Sequence, residues 1–143
     1  METDRPILIV EDSDDDYDAA VRALRKELAL PHPLRRCEDG KQALDYLLHD
    51  CATKGTFPMM ILLDLNLPGI DGRAVLSEIK SHDRLRCIPI IVMTHSDAQR
   101  DIRDCYRMGA NSYVRKPLEW PRFVTAMKNL KGYWIDTAIL PEI

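Results

Sequence analysis

Apolar positions along the chain follow two alternating periods. Residues 7–10, ILIV, form an unbroken run rich in β-branched side chains, the pattern of a strand buried on both faces. The period then changes. Tyr17, Val21, Leu24 and Leu28 recur at spacings of four, three and four, which places them on one face of a helix, with Ser13 or Asp14 as its cap and Pro31 and Pro33 ending it. LRRC at 34–37 predicts a more polar strand nearer an edge, and DGKQALDYLLHD a second helix capped by Asp39 with Ala43, Leu44, Leu47 and Leu48 as its apolar stripe. CATKGTF at 51–57 has neither period and reads as an exposed loop. MMILLDL at 59–65 and IPIIVMT at 88–94 are two more buried strands. Between them PGIDG turns the chain into a helix that faces Val75, Leu76 and Ile79 to one side. A helix from about Ala98 to Met108 is closed by Gly109 in a left-handed cap. NSYVRK is a short strand, and Pro117 opens a last helix with Phe123, Met127 and Leu130 inward.

Strand and helix thus alternate five times. That order predicts an α/β fold, a five-stranded parallel sheet with helices on both faces, because parallel neighbours need right-handed crossovers. Ligands of such sheets bind beyond the carboxyl ends of the strands. Glu11, Asp12, Asp64, Thr94 and Lys116 all fall at those ends, on one rim.

Composition narrows the class. At 143 residues the chain suits one domain, and 45% hydrophobic with 30% charged residues is ordinary for a globular protein. A net charge of -3 supplies no field for nucleic acid or anionic lipid, so neither is expected as a partner. No apolar run reaches the roughly 20 residues of a membrane helix, and METDRP is acidic where a signal peptide is basic; a cytoplasmic protein is expected. Cys37, Cys51, Cys87 and Cys105 lack C-x-x-C spacing and signal neither zinc nor a redox dithiol.

The chemistry sits where the first strand ends. Six carboxylates crowd residues 11–18, an arrangement that costs stability unless a cation lies among them. Carboxylates converging on one rim match the oxygen ligands of a hard divalent ion such as Mg²⁺. An ion there would neutralise Glu11 and Asp12 and leave Asp64 a nucleophile toward a phosphoryl donor, with Lys116 as a second cation and Thr94 as a hydroxyl donor to phosphoryl oxygens. Asp14, Asp15, Asp16 and Asp18 read instead as charge favoured by a helix N-terminus.

These residues resemble the receiver domains of two-component response regulators from about Ile7 to Leu130. The resemblance is carried by ED after the first strand, LLDLNLPGIDG around the third, MTHS after the fourth and KP after the fifth. It implies the flavodoxin-like (βα)5 fold, phosphoryl transfer from a histidine kinase to Asp64, and Mg²⁺ held by Asp12, Asp64 and the backbone carbonyl of Asn66, with Glu11 acting through water. It also implies that Lys116 pairs with Asp64, that the Lys116–Pro117 bond is cis, and that Thr94 and Tyr113 form a switch pair driving the surface of the fourth helix, fifth strand and fifth helix. Glu11 stands where Asp is commoner, and His95 is bulkier than the usual residue there. The reading is of a domain over 1–130 and an apolar extension over 131–143 that packs on the domain or on a dimer partner, with no effector domain following. Within the family, MTHSD, YVRKP and a Trp-containing tail ending in LP look most like the stand-alone regulators of bacterial and cyanobacterial phytochromes. That likeness implies a phytochrome histidine kinase as partner and a homodimer through the face of the fourth helix, fifth strand and fifth helix together with the C-terminal tail.

Such a protein catalyses its own phosphorylation and slow dephosphorylation without being a general metabolic enzyme. Two other readings stay open: a pseudo-receiver that binds partners without phosphorylation, and a phosphatase with an aspartyl-phosphate intermediate. The phosphatase needs a general acid two residues after its nucleophile, where this chain has Asn66. His32, His49, His82 and His95 show no metal spacing. Arg100, Arg103 and Arg107 read as a solvated helix face, and Trp120, Tyr133 and Trp134 as packing or dimer residues.

Overall fold

The computed structural model describes residues 4–143, with a five-stranded parallel sheet in the order β2-β1-β3-β4-β5. The strands are β1 (Ile7–Val10), β2 (Leu34–Cys37), β3 (Met60–Leu63), β4 (Ile90–Thr94) and β5 (Ser112–Arg115). β1, β3 and β4 are buried along their whole length, as their continuous apolar runs require, whereas β2 and β5 at the edges are only partly buried.

Five helices complete the fold. α1 (Asp14–Arg22) continues as a π-helical turn, Ala23–Glu27. α2 (Gly40–Asp45) continues through a π-helical turn, Tyr46–Asp50, into Cys51–Lys54. α3 is Gly72–Ser81, α4 is Gln99–Met108 and α5 is Trp120–Trp134. Two apolar layers flank the sheet. One joins α2, α3 and α4 through Leu47, Val75, Leu76, Ile79 and Cys105, the other joins α1 and α5 through Leu24, Phe123 and Met127.

Ser13 caps α1, its Oγ accepting from the Asp16 N–H, and Asp39 caps α2 by accepting from the Gln42 N–H. Gly109 closes α4 at φ 106°.

Several expectations are corrected. Residues 51–54 are helical, with Cys51 buried, Gly55 closing the turn at φ 73°, and Phe57 in the core, so CATKGTF is not an exposed loop. The last helix starts at Trp120 with Pro121 in its first turn, three residues beyond Pro117. It runs on to Trp134, across the 130/131 boundary read from the sequence. The Lys116–Pro117 bond is trans, since the described residues contain no cis peptide. Locally the tertiary amide favours trans by about 0.5–1 kcal/mol, and Lys116 N–H still reaches the Thr94 carbonyl at 2.7 Å.

Beyond α5 the chain turns back over the base of the sheet. Ile135 and Leu140 pack against one apolar layer and Ile143 against the other. Arg5 fastens this arrangement, donating to the carbonyls of Phe57, Pro58 and Pro141. A cavity of about 890 Å³ lies here, lined by Phe57, Trp134, Leu140 and Ile143 among others. It is at the opposite end of the strands from the carboxylates and contains none of the rim residues.

Candidate functional site

Register builds the site. Val10 lies beside Leu63 in the β1–β3 ladder, so the residues that follow, Glu11 and Asp64, leave the sheet side by side, and the Asp64 N–H donates to the Val10 carbonyl at 3.1 Å. On the other side Thr94 pairs with Arg115, so Lys116 leaves β5 one residue past the end of β4. The loop after Asp64 folds back tightly. Gly72 N–H donates to Leu65 O at 3.0 Å, and a Cβ at Gly72 would sit 2.6 Å from the Leu65 Cα. Only glycine lets α3 begin so close under Asp64.

Lys116 is the hub. Its ammonium donates to Glu11 Oε1, to Asp64 Oδ2 at 3.0 Å and to Asp16 Oδ2 at 2.9 Å. The backbone N–H of Asn66 donates to the other Asp64 oxygen at 3.2 Å. Glu11, Asp64 and Lys116 are all buried, and one oxygen from each of Glu11, Asp16 and Asp64 lies within 4.8 Å of the others. Burial pushes the Glu11 carboxyl up to about 7 despite the opposing pull of Lys116. Burial by itself would lower the Lys116 ammonium, but its bond to Glu11 and the charge of Asp64 raise it.

Thr94 is fully buried at the end of β4, and its Oγ1 has no hydrogen-bond partner among the described residues. A buried hydroxyl so left costs about 1–3 kcal/mol, a cost that a ligand oxygen would relieve. Tyr113 is half-buried in β5; its phenol donates to the Ser96 carbonyl at 2.9 Å, which ties the strand to the loop after Thr94. Ser96 Oγ in turn donates to Asp101, which also pairs with Arg73 of α3.

The rim therefore brings together Glu11, Asp64, Thr94 and Lys116. Asp12 and Asn66 are exposed, and Asp12 lies outside the close group of acids. Asp16 takes the third place instead, although its position in the first turn of α1 reads locally as capping charge. The spacing to Ala20 and Ala23, both buried, marks Asp16 as facing inward.

The family model of the response regulator receiver domain matches residues 7–128, and the chain belongs to that family. Among its relatives, the Methanothrix harundinacea "Probable methanogenesis regulatory protein FilR2" is 41% identical over 130 residues, 90% of this chain and 83% of that protein. "Response regulator Rcp1" of Synechocystis sp. is 35% identical over 136 residues, 94% of this chain and 92% of its own. Among solved structures, the phosphorylated cyanobacterial phytochrome response regulator RcpA superposes with a TM-score of 0.89 at 35% identity, covering 96% of this chain and 99% of that one. The Mn²⁺-bound form of Rcp1 gives 0.86 at 34% identity, over 96% and 99%.

Proposed function

We propose that this chain is a response regulator that accepts a phosphoryl group on Asp64 from a sensor histidine kinase, in a reaction dependent on Mg²⁺. One observation carries the reading: a buried aspartate held between a lysine ammonium and a backbone N–H, on the same rim as a buried, unpartnered threonine hydroxyl. Asp64 Oδ attacks phosphorus as the bond to the donor's leaving group breaks. Lys116 exchanges its bond to Asp64 for one to a phosphoryl oxygen, and the Thr94 hydroxyl supplies a second donor.

The donor set fits a hard divalent ion, since carboxylate oxygens of Glu11, Asp16 and Asp64 lie within 4.8 Å of one another. Asp12 and the Asn66 carbonyl complete the set that family resemblance implies. A bound Mg²⁺ offsets the acids' charge and that of the incoming phosphoryl oxygens. Lys116 pairs with Glu11, Asp16 and Asp64 alike.

Relatives described as phytochrome response regulators support a phytochrome kinase as donor. The dimer reading rests on the α4-β5-α5 face, where exposed Tyr106 accepts from the backbone N–H of half-buried Tyr113. Incubation with Mg²⁺ and a small acyl phosphate, followed by intact mass measurement, tests the central step. One phosphate on wild type and none on Asp64→Asn is expected; no adduct on wild type would leave the pseudo-receiver reading. Transfer from a purified phytochrome kinase that is equally fast in light and dark would remove the light-linked partner.

A further inference from the structure

Asp16 is bound from two sides by groups that belong to different parts of the chain. Its Oδ2 accepts from Lys116 Nζ at 2.9 Å and lies 3.2 Å from His95 Nε2. Lys116 follows β5, His95 follows β4, and Asp16 sits in the first turn of α1, so one carboxylate joins three rim segments. The cap of α1 does not need that carboxylate, because Ser13 Oγ already accepts the Asp16 N–H. Burial would raise the Asp16 carboxyl, but the bonds from Lys116 and His95 together hold it below the usual range.

Exposure steps outward along this chain of contacts. The side chains of Lys116 and Asp64 are 7% and 8% exposed, Asp16 31% and His95 48%. Asp16 and His95 thus stand nearer solvent than the buried pair, tied to it through the lysine, with an Asp16 oxygen within 4.8 Å of an Asp64 oxygen.

We infer that Asp16 and His95 act together as positioning residues that restrict water at the phosphoryl group on Asp64 and so set the lifetime of the phosphorylated state. The inference rests on phosphoryl acceptance by Asp64. In hydrolysis a water oxygen attacks phosphorus, the bond from phosphorus to Asp64 Oδ breaks, the aspartate leaves as a carboxylate, and the water's proton passes to solvent with inorganic phosphate as product. A closed pair hinders the approach of that water, and loss of either member opens the same gap. The two residues therefore act as one unit, and their effects do not multiply.

The test is the decay of the phosphoryl mass after labelling with acetyl phosphate and removal of the donor, in Mg²⁺. Its arms are wild type, Asp16→Ala, His95→Ala, the double variant and Asp16→Asn. Each alanine variant is expected to lose phosphate roughly fivefold faster, the rate equivalent of about 1 kcal/mol. The double variant is expected to be no faster than the faster single, and Asp16→Asn, which keeps an acceptor oxygen, to fall between wild type and Asp16→Ala. If Asp16→Ala folds poorly, Asp16→Ser, suited to a first helical turn and too short for either bond, takes its place. Wild-type decay in either single variant, or rates that multiply in the double, would overturn the inference alone. A wild type that takes up no phosphate would overturn the phosphoryl reading and this inference with it.

Discussion

Replacing Lys116 with methionine keeps most of the side-chain volume and removes the ammonium from between Glu11 and Asp64, both buried carboxylates. Breaking a buried ion pair from one side typically costs about 3–5 kcal/mol, because the remaining charge has neither water nor a partner. Here the cost depends on pH. Glu11 is already pushed up to about 7 by burial, from 4.5, and loss of Lys116 removes the two contributions that oppose the rise. A carboxyl whose folded value lies above its unfolded one stabilises the fold fully below the unfolded value, and that stability is lost as pH rises through the folded value. At pH 5.5 Glu11 holds a proton in both folded proteins, so the penalty comes only from the bonds lost at Asp64 and Asp16. By pH 8.5 the folded variant must either ionise Glu11 beside Asp64 or hold a proton that the unfolded chain releases, and the penalty approaches the full range. Urea unfolding of wild type and Lys116→Met at both pH values, with chelator present, measures the difference. A penalty equal at the two pH values, or below about 1 kcal/mol at pH 8.5, would refute the reasoning.

Three further outcomes follow from the packing. Gly72→Ala forces a Cβ against the backbone of Asp64 and Leu65, so it should lose at least about 2–3 kcal/mol in urea unfolding and slow phosphoryl uptake at Asp64. Asp101→Ala should cost about 1 kcal/mol at neutral pH by removing the bond from Ser96 and the pair with Arg73. Those bonds hold the Asp101 carboxyl below its ordinary value, so wild type's advantage should be present above the unfolded value and vanish as pH falls through the folded one. Arg5→Ala removes the donor to Phe57, Pro58 and Pro141, so limited proteolysis should cut the tail sooner while the sheet core stays intact.

Much of this fold is written in local pattern. The apolar runs of β1, β3 and β4 need no tertiary context, because burial on both faces of a parallel sheet demands them. The closing turn of α2 does, since four residues are too few to show a helical period and Cys51–Lys54 is held by the preceding helix and by Gly55. Phe57 is a lone core aromatic in a polar stretch, for the same reason invisible. Pro117 and Pro121 both suit a first turn, and local pattern does not choose between them.

At the site, Glu11, Asp64, Thr94 and Lys116 were legible because strand ends in register converge on one rim. Glu11 and Asp12 look equivalent in sequence, yet both lie beyond the last residue of β1 and only Glu11 is buried. Asp16 was legible only as an inward-facing position, from its spacing to Ala20 and Ala23, and not as a member of the site. Its partners lie 100 and 79 residues away, and the adjacent acids of the first helical turn hide it among capping charge.

The central claim is that Asp64 becomes a mixed anhydride with phosphate. Borohydride reduces such an anhydride to an alcohol, which converts the modified aspartate to homoserine at its own position. After treatment with an acyl phosphate and Mg²⁺, peptide sequencing by mass spectrometry should find homoserine at residue 64 and an unaltered side chain at Glu11, Asp12 and Asp16. Homoserine at another acid, or at none while the protein is folded and metal-loaded, would contradict it.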